Sequence, residues 1–228
     1  MPRWGMVIDL DKCSACQSCT VACRMENNTP VAGPDQAAMG RAILWNEVLT
    51  FVEGEYPHPV VTMMPRPCMH CDDPSCIKVC PVKATYKDEE GLVLIDYDRC
   101  IGCRMCTVAC PYEVRYFNWY PPEWPAALKG HLNPDPEVAP RPAGVVEKCT
   151  FCVQRLRKAR EQAAAEGRVF VATDYVPACV QTCTGHARYF GDLDDPDSLV
   201  SKLAHSPRAF RLQEELGTRP KVYYLKQG

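Results

Sequence analysis

Two short segments of alternating apolar and polar residues each lead into a group of closely spaced cysteines. Residues 7–10 read V-I-D-L and residues 94–97 read L-I-D-Y. Alternation with a period of two is typical of a half-buried β-strand. The match extends over residues 7–23 and 94–110, and both copies end on Thr-Val-Ala-Cys. This internal repeat predicts two copies of one unit, a strand followed by a cysteine-bearing loop.

Further strands are predicted around these two copies. Residues 84–86 and 92–95 alternate on either side of an Asp-Glu-Glu-Gly turn, which predicts a β-hairpin. Residues 114–117 (V-R-Y-F) resemble residues 187–190 (A-R-Y-F), and each follows a group of cysteines. We expect both segments to be strands. Two other predicted strands are residues 43–52 and 221–225.

Helices are predicted mainly in the second half of the chain. Residues 153–166 form a charged, alanine-rich stretch that Gly167 ends. Residues 194–217 predict two short helices, the first capped by the D-P-D-S sequence at 195–198 and the second ended by Gly217.

The overall composition is that of a soluble globular protein, apart from its cysteines and prolines. The 228 residues are 24% charged and 46% hydrophobic, with a formal net charge of −2. This balance gives no indication of a nucleic-acid partner. We find no apolar run long enough to span a membrane and no secretory signal, so neither is expected. The outliers are 16 Cys and 21 Pro.

The cysteines have the spacing of iron–sulfur ligands. Residues 100–111 read C-x2-C-x2-C-x3-C-P, the bacterial ferredoxin run in which three cysteines hold one cluster and the fourth holds a neighbouring one. Residues 13–23 repeat this spacing without the proline, and residues 68–81 widen one step to C-x2-C-x4-C-x3-C-P. A fourth run is split between residues 149–152 and 179–183.

The pairing of the runs follows from the chain connections. A short hairpin joins the second run to the third, so these two are predicted partners, and the first and fourth runs form the other pair. Each fourth cysteine then serves the cluster of the partner run. This rule predicts four [4Fe-4S] clusters and uses every cysteine. The first set is Cys13, Cys16, Cys19 and Cys183; the second set is Cys23, Cys149, Cys152 and Cys179; the third set is Cys68, Cys71, Cys76 and Cys110; the fourth set is Cys80, Cys100, Cys103 and Cys106.

Zinc and disulfides are the alternative uses of these cysteines. Paired C-x2-C units also build zinc ribbons, but zinc requires neither the third cysteine of a run nor the C-P ending. His70 lies between two ligands, where it either tunes a cluster through a hydrogen bond to sulfur or has a structural role. His58 is interpreted as a loop histidine.

Several basic residues lie beside the predicted ligands. Positive charge near a cluster raises its potential, although for any one of these side chains the favoured interpretation is that it points to solvent. Arg104, inside a ligand loop, is the strongest candidate. The set is Lys12, Arg24, Arg99, Arg104 and Lys148.

The predicted fold is α+β, with two nested ferredoxin-like modules that carry long loop insertions and are held together by the clusters. Module A combines residues 1–60 with 145–193, and module B is residues 61–125. Residues 126–144 form a proline-rich connection, and residues 194–228 a C-terminal tail. The aromatic loop at residues 119–124 either folds back on its own core or contacts a partner.

The set of motifs resembles the four-cluster, ferredoxin-like subunit of complex iron–sulfur molybdoenzymes, such as polysulfide, thiosulfate, tetrathionate, arsenate and dimethyl sulfoxide reductases. The similar stretches cover most of the chain, and the sequence around Cys149 also resembles the ferredoxin-like part of alternative complex III. Thr184 departs from the pattern, because a proline is common there. The similar stretches are residues 13–23, 70–74, 100–111, 147–152 and 191–196.

The resemblance implies an electron-transfer subunit without substrate chemistry of its own. It would connect a molybdenum or tungsten bis-pterin catalytic subunit, near the first set, to an integral membrane quinone-handling subunit of the polysulfide-reductase type, near the fourth set. Such a subunit would attach to the cytoplasmic membrane through its partners, and we favour the outer, periplasmic face. The alternative is a polyferredoxin, or the iron–sulfur subunit of a hydrogenase or formate dehydrogenase.

Overall fold

The computed structural model describes residues 2–226 and has a mixed α/β architecture built from small sheets. The strands are β1 Trp4–Asp9, β2 Asn46–Glu53, β3 Val60–Pro67, β4 Thr85–Lys87, β5 Val93–Ile95, β6 Tyr116–Phe117, β7 Val146–Glu147, β8 Arg188–Asp192, β9 Ala209–Phe210 and β10 Val222–Leu225. The helices are α1 Ser18–Glu26, α2 Pro34–Ala38, α3 Ser75–Lys78, α4 Met105–Val108, α5 Ala126–Lys129, α6 Val153–Ala165, α7 Ala178–Gln181 and α8 Leu199–Ala204.

A four-stranded sheet with the order β8-β1-β10-β9 forms the largest layer. Its strand β1 is buried along its whole length, parallel to β10 and antiparallel to β8. Trp4 is fully buried, and its ring stacks on Phe190 and meets Tyr175 edge-on. Offset and edge-on contacts of this kind stabilise aromatic clusters beyond the area they bury. The sheet therefore supplies a rigid core next to the cysteine loops.

The predicted hairpin at residues 84–95 is confirmed as β4 and β5, paired with Thr85 opposite Ile95. The predicted strand after the third run is the short β6, which pairs with β7 just before the fourth run. The predicted alanine-rich helix is α6, and Gly167 beyond it has a left-handed φ of 67°.

Strand β3 was not predicted. The strand expected at residues 43–52 is β2, and its antiparallel partner is β3, which carries Pro65 and Pro67. Proline cannot donate to a strand ladder, so its presence argued against a strand. The two-stranded ribbon accommodates both prolines because each strand has only one partner.

The tail differs from its prediction in one element. Helix α8 is present, and the Ser198 side chain caps it by accepting a hydrogen bond from Ser201 N at 3.1 Å. The second predicted helix is wrong: this segment contains β9 and a single 3-10 turn. Pro207 interrupts the helical pattern, and the ring of Phe210 packs on Tyr224 of the sheet. The strand predicted at residues 221–225 is confirmed as β10.

Within residues 2–226, no helix is long and apolar enough to cross a membrane.

Candidate metal centres

The four cysteine runs share one backbone conformation. The residue before the second cysteine of each run has a positive φ: Ala15 at 54°, His70 at 42°, Gly102 at 66° and Phe151 at 56°. A left-handed residue within a turn directs neighbouring N–H groups into a concave anion-binding nest, a geometry common at iron–sulfur sites. Glycine is required at Gly102, because a Cβ there would overlap the carbonyl of Gly144. The runs are therefore four versions of one ligand loop.

Short helical turns place the remaining cysteines. The helices α1, α3, α4 and α7 each carry the third cysteine of a run and lead to the fourth. Helix α1 packs against α7, and α3 against α4. The first run thus lies beside the fourth, and the second beside the third.

Two of the predicted cysteine sets line small cavities. The first set lines one cavity, with Cys13, Cys16, Cys19 and Cys183. The fourth set lines the other, with Cys80, Cys100, Cys103 and Cys106. In both cavities the fourth-position cysteine of one run meets three cysteines of its partner run.

In each of the other two sets, the cysteines lie close enough for the charge on one to affect the pKa of another. The pKa of Cys23 is raised by burial and by charge on Cys149, Cys152 and Cys179, the other members of the second set. Burial raises the pKa of Cys71 to about 12, with further contributions from charge on Cys68, Cys76 and Cys110, its companions in the third set. These neighbours are the ones that the spacing assigns to the second and third sets, and the assignment of the sixteen cysteines to four clusters stays a prediction.

These raised pKa values show what the groups require. A buried thiol resists ionisation, yet the thiolate is the form that binds metal. Burial likewise raises the pKa of Cys149 to about 12. None of the sixteen cysteines, all within residues 2–226, forms a disulfide. The chemistry of these donor sets fits iron, whose positive charge would offset the cost of four neighbouring buried thiolates.

The cysteine sets differ in how far they are exposed to solvent. Among the sixteen cysteines, all within residues 2–226, only Cys16 and Cys103 are exposed. They belong to the first and fourth sets. All four cysteines of the second set are buried, as are three of the third set, with Cys110 half-buried.

The groups also have a spatial order. Charge on Cys19 of the first set raises the pKa of Cys179 in the second, after the larger effect of burial. Charge on Cys68 of the third set similarly affects Cys149 of the second. The second set therefore lies between the first and the third.

His70 has a structural role rather than a hydrogen bond to sulfur. Its Nδ1 accepts a hydrogen bond from Val93 N at 3.1 Å, and its Nε2 donates to the carbonyl oxygen of Cys149 at 3.1 Å. The ring stacks on Phe151, and burial lowers its pKa well below the ordinary value, so it is neutral. His70 thereby fastens the loop of the third set to the backbone of the second. His58 lies in the exposed loop between β2 and β3.

The five basic residues beside the ligands have other partners. The Arg104 guanidinium lies 4.7 Å from the ring centre of Trp119, and Lys12 bonds the Tyr189 hydroxyl at 2.6 Å. Arg24 and Lys148 donate to backbone carbonyls, and Arg99 pairs with Asp96. In the described part of the chain, none of the five donates a hydrogen bond to a thiol.

Sequence reasoning missed the polar side chains that do contact sulfur. Asn46 Nδ2 donates to Cys19 Sγ at 3.2 Å, and Arg188 Nη2 lies 3.4 Å from the same atom. The Thr184 hydroxyl lies 3.4 Å from Cys16 Sγ and, together with Ser18, lowers the pKa of Cys16 to about 6. The repeated V-R-Y-F and A-R-Y-F strands were the signal that could have identified Arg188. Asn46 carried no signal.

A small mixed fold with paired ligand loops and four groups of cysteines defines a ferredoxin-like iron–sulfur protein. Comparison with known families agrees, because residues 59–125 match the 4Fe-4S dicluster domain.

Relatives cover nearly the whole chain. The iron–sulfur cluster-binding subunit of menaquinone reductase from Nitratidesulfovibrio vulgaris is 48% identical, over 99% of this chain and 89% of that protein. The arsenate respiratory reductase iron–sulfur subunit of Shewanella sp. is 38% identical, over 98% of this chain and 96% of that protein. A tetrathionate reductase subunit of Salmonella typhimurium is 37% identical, over 98% of this chain and 72% of that protein.

The chain belongs to the family of iron–sulfur subunits of reductase complexes that includes these proteins. It binds [4Fe-4S] clusters and transfers electrons within an oxidoreductase complex, and the catalytic site belongs to another subunit. This confirms the family resemblance seen in the sequence. The similarity to these relatives also favours an electron-transfer subunit of a molybdoenzyme complex over a polyferredoxin or a hydrogenase subunit.

Proposed function

We propose that each of the four cysteine sets holds one [4Fe-4S] cluster and that the four clusters form a single electron wire. Two nested modules would carry them, with the first and second clusters in module A and the third and fourth in module B. The packing of α1 on α7 and of α3 on α4 supports this pairing. Within each cluster, iron would supply the one-electron chemistry, and the chain would set spacing, exposure and charge.

The observation that carries this proposal is the exposure of the two ends. Cys16 and Cys103 are exposed, and the second and third sets lie between them, largely buried. A wire needs surface access only where electrons enter and leave, and shielding elsewhere prevents loss to solvent oxidants. A storage protein would have no reason to expose only its two terminal groups.

The partner at the first set would be a molybdenum or tungsten bis-pterin catalytic subunit. The partner at the fourth set would be an integral membrane subunit that handles quinone or quinol. An apolar surface around Cys103 supports this orientation: Val108 is 85% exposed, Ile101 64% and Met105 51%. Trp119, at 44%, adjoins this surface through its contact with Arg104. Apolar patches of this kind mark sites of contact with a partner protein or a membrane.

The two exposed cysteines provide the test of the wire. In the complex purified with its partners, Cys103→Ser should prevent quinol from reducing the first three clusters, while a donor acting on the catalytic subunit still reduces them. Cys16→Ser should have the opposite effect. Cluster reduction followed by electron paramagnetic resonance measures both. If either variant leaves reduction from both sides intact, the clusters are not in series.

The membrane-facing end has its own test. Trp119→Ala combined with Trp124→Ala should release this subunit from membranes more readily in a salt wash, while the integral membrane subunit stays behind. Tyr56→Ala is the matched control, because Tyr56 is an aromatic residue that is 93% exposed on the β2–β3 loop, outside the aromatic loop. Equal release of the double variant and the control would count against this placement of the aromatic loop.

We further propose that the complex lies on the outer face of the cytoplasmic membrane, exported already folded with a partner. Clusters inserted before export would protect sixteen cysteines from oxidation in that compartment. Protease added to intact spheroplasts should then digest this subunit, and protease added to inverted vesicles should not. The reverse pattern would place it on the cytoplasmic face.

A further inference from the structure

Two buried arginines occupy equivalent places in the internal repeat. Arg115 lies in V-R-Y-F after the third cysteine run, and Arg188 lies in A-R-Y-F after the fourth. Their exposed fractions are 6% and 4%. Arginine remains charged in proteins, so each residue carries a buried positive charge.

Neither charge is balanced by a carboxylate. Three arginines are buried within residues 2–226, and only Arg141 has an acidic partner, Glu147 at 2.6 Å. Arg188 instead contacts Asn46 Oδ1 at 2.6 Å, Cys19 Sγ at 3.4 Å and Met6 Sδ at 3.6 Å. A buried charge without a counter-charge is strongly unfavourable, so each arginine needs an anion that the protein side chains do not supply.

The neighbours of Arg188 identify that anion. Its guanidinium contacts Cys19 of the first set and also bonds Cys179 of the second. Both are the third cysteines of their runs. Arg188 therefore lies between the first and second cluster positions.

Arg115 has the same relation to the other two sets. It lies beside Cys76 of the third set and Cys106 of the fourth, again the third cysteines of their runs. One guanidinium nitrogen donates to Thr85 Oγ1 at 3.1 Å, and the other, Nη2, is buried without a hydrogen-bond partner in the described chain. That orphan donor is available to cluster sulfur.

We propose that Arg188 and Arg115 are equivalent counter-charges, each shared by two neighbouring clusters: Arg188 by the first and second, Arg115 by the third and fourth. The inference rests on the proposed ligand sets. A cluster with four thiolates is negative and becomes more so on reduction, so a fixed positive charge between two clusters raises both potentials. It also weakens the repulsion between two reduced neighbours. Both arginines are positioning residues for electron transfer.

The test compares redox titrations of the complex purified anaerobically, followed by electron paramagnetic resonance. Arg188→Gln should lower the midpoint potentials of the first and second clusters only, by at least a tenfold change in reduced-to-oxidised ratio, which is about 59 mV for one electron. Arg115→Gln should lower those of the third and fourth only. Cys16→Ser and Cys103→Ser assign the terminal signals. Arg99→Gln is the matched control, an exposed arginine beside Cys100 whose loss should shift neither pair.

The lysine variants separate charge from shape. Arg188→Lys and Arg115→Lys keep the positive charge and should retain potentials close to those of the unmodified protein. If a glutamine variant loses two clusters while its lysine counterpart keeps them, the proposal is supported, because charge is then required for assembly. Equal loss in both variants would overturn it, as would a glutamine variant that shifts no midpoint, a single midpoint or all four.

The same titration distinguishes the two proposals. If the unmodified subunit contains fewer than four clusters, the proposed ligand sets fail regardless of the arginines. If four clusters titrate and neither glutamine variant moves a pair, only the counter-charge inference fails.

Discussion

The four-stranded sheet and the segment from residue 68 to residue 117 both border cysteine groups, but they are held together differently. The sheet has a fully buried central strand and a stacked aromatic cluster around Trp4. The 68–117 segment contains only β4, β5 and the start of the β6–β7 pair, with strands of two or three residues, and one-turn helices. Its own core is small and includes Cys76 and Cys106, while its Leu92, Leu94 and Tyr112 join the larger core around Trp4. The sheet is held by long paired strands, whereas the segment has only short strands and the eight cysteines of its two runs.

This difference predicts that iron removal acts unequally, and it is the largest effect we expect. Binding energy at a structural metal site is also folding energy, so a segment that has only short strands and eight cluster ligands should unfold without its clusters. After anaerobic chelation, amides of β4 and β5 should lose their protection from hydrogen exchange, while those of β1 and β10 keep most of theirs. Equal loss in both regions would show that the sheet depends on the clusters as much as the segment does.

The second prediction concerns a substitution in the four-stranded sheet. Trp4→Ala should lower the free energy of unfolding by about 3–5 kcal/mol, the usual cost of truncating a large buried aromatic residue. Trp4 Nε1 also donates to Glu90 Oε2 at 3.2 Å, so the change removes a link to the β4–β5 turn. Denaturant unfolding of the loaded protein measures the loss. Trp4→Phe is the control and should cost much less, since it keeps most of the packing.

The third prediction concerns a second link between the two regions. Lys221, just before β10, is fully buried, and its Nζ donates to the carbonyl oxygen of Gly91 in the β4–β5 turn. Burial lowers its pKa from 10.5 to about 8. The unfolded chain therefore binds more protons than the folded one between these two values, and the free energy of unfolding should rise with pH across that window, by roughly 3 kcal/mol.

Stability measured between pH 7.5 and 10.5 tests this link. Lys221→Met should remove this contribution to the pH dependence, and Lys226→Met, an exposed neighbour, should not. A pH dependence that persists in Lys221→Met would assign it to other groups.

The smallest expected effect is at the exposed end of the first set, next to the sheet. Thr184→Val should remove the hydroxyl that contacts Cys16 Sγ and lower the potential of one cluster by less than about 59 mV, the equivalent of a tenfold ratio for one electron. Thr184→Ser should restore it. Redox titration measures the shift, and an unchanged potential in Thr184→Val would mean that solvent replaces the hydroxyl fully.

Much of the ligand arrangement could be predicted from the sequence because cluster ligation is local. Three cysteines of a run lie in one short loop, so their spacing alone groups them. The β4–β5 hairpin was also visible, since its turn residues and alternation occur within a few residues of each other.

Features that depend on distant contacts could not be predicted in this way. Strand β10 pairs in parallel with β1, although the two strands lie at opposite ends of the sequence. No local sequence pattern indicates that pairing. Strand β3 was obscured by its prolines. The roles of Arg115 and Arg188 became apparent only when the fold placed both among thiols without a carboxylate.

The central claim, that this subunit carries four [4Fe-4S] clusters in series between two partners, is tested most directly by metal analysis. The complex should be purified anaerobically from its native membrane with its partners attached. We predict about 16 iron atoms per copy of this chain, in addition to any cluster iron of a partner, and about one molybdenum or tungsten. Iron without molybdenum or tungsten would contradict the wire between those partners, and zinc in place of iron would contradict the clusters themselves.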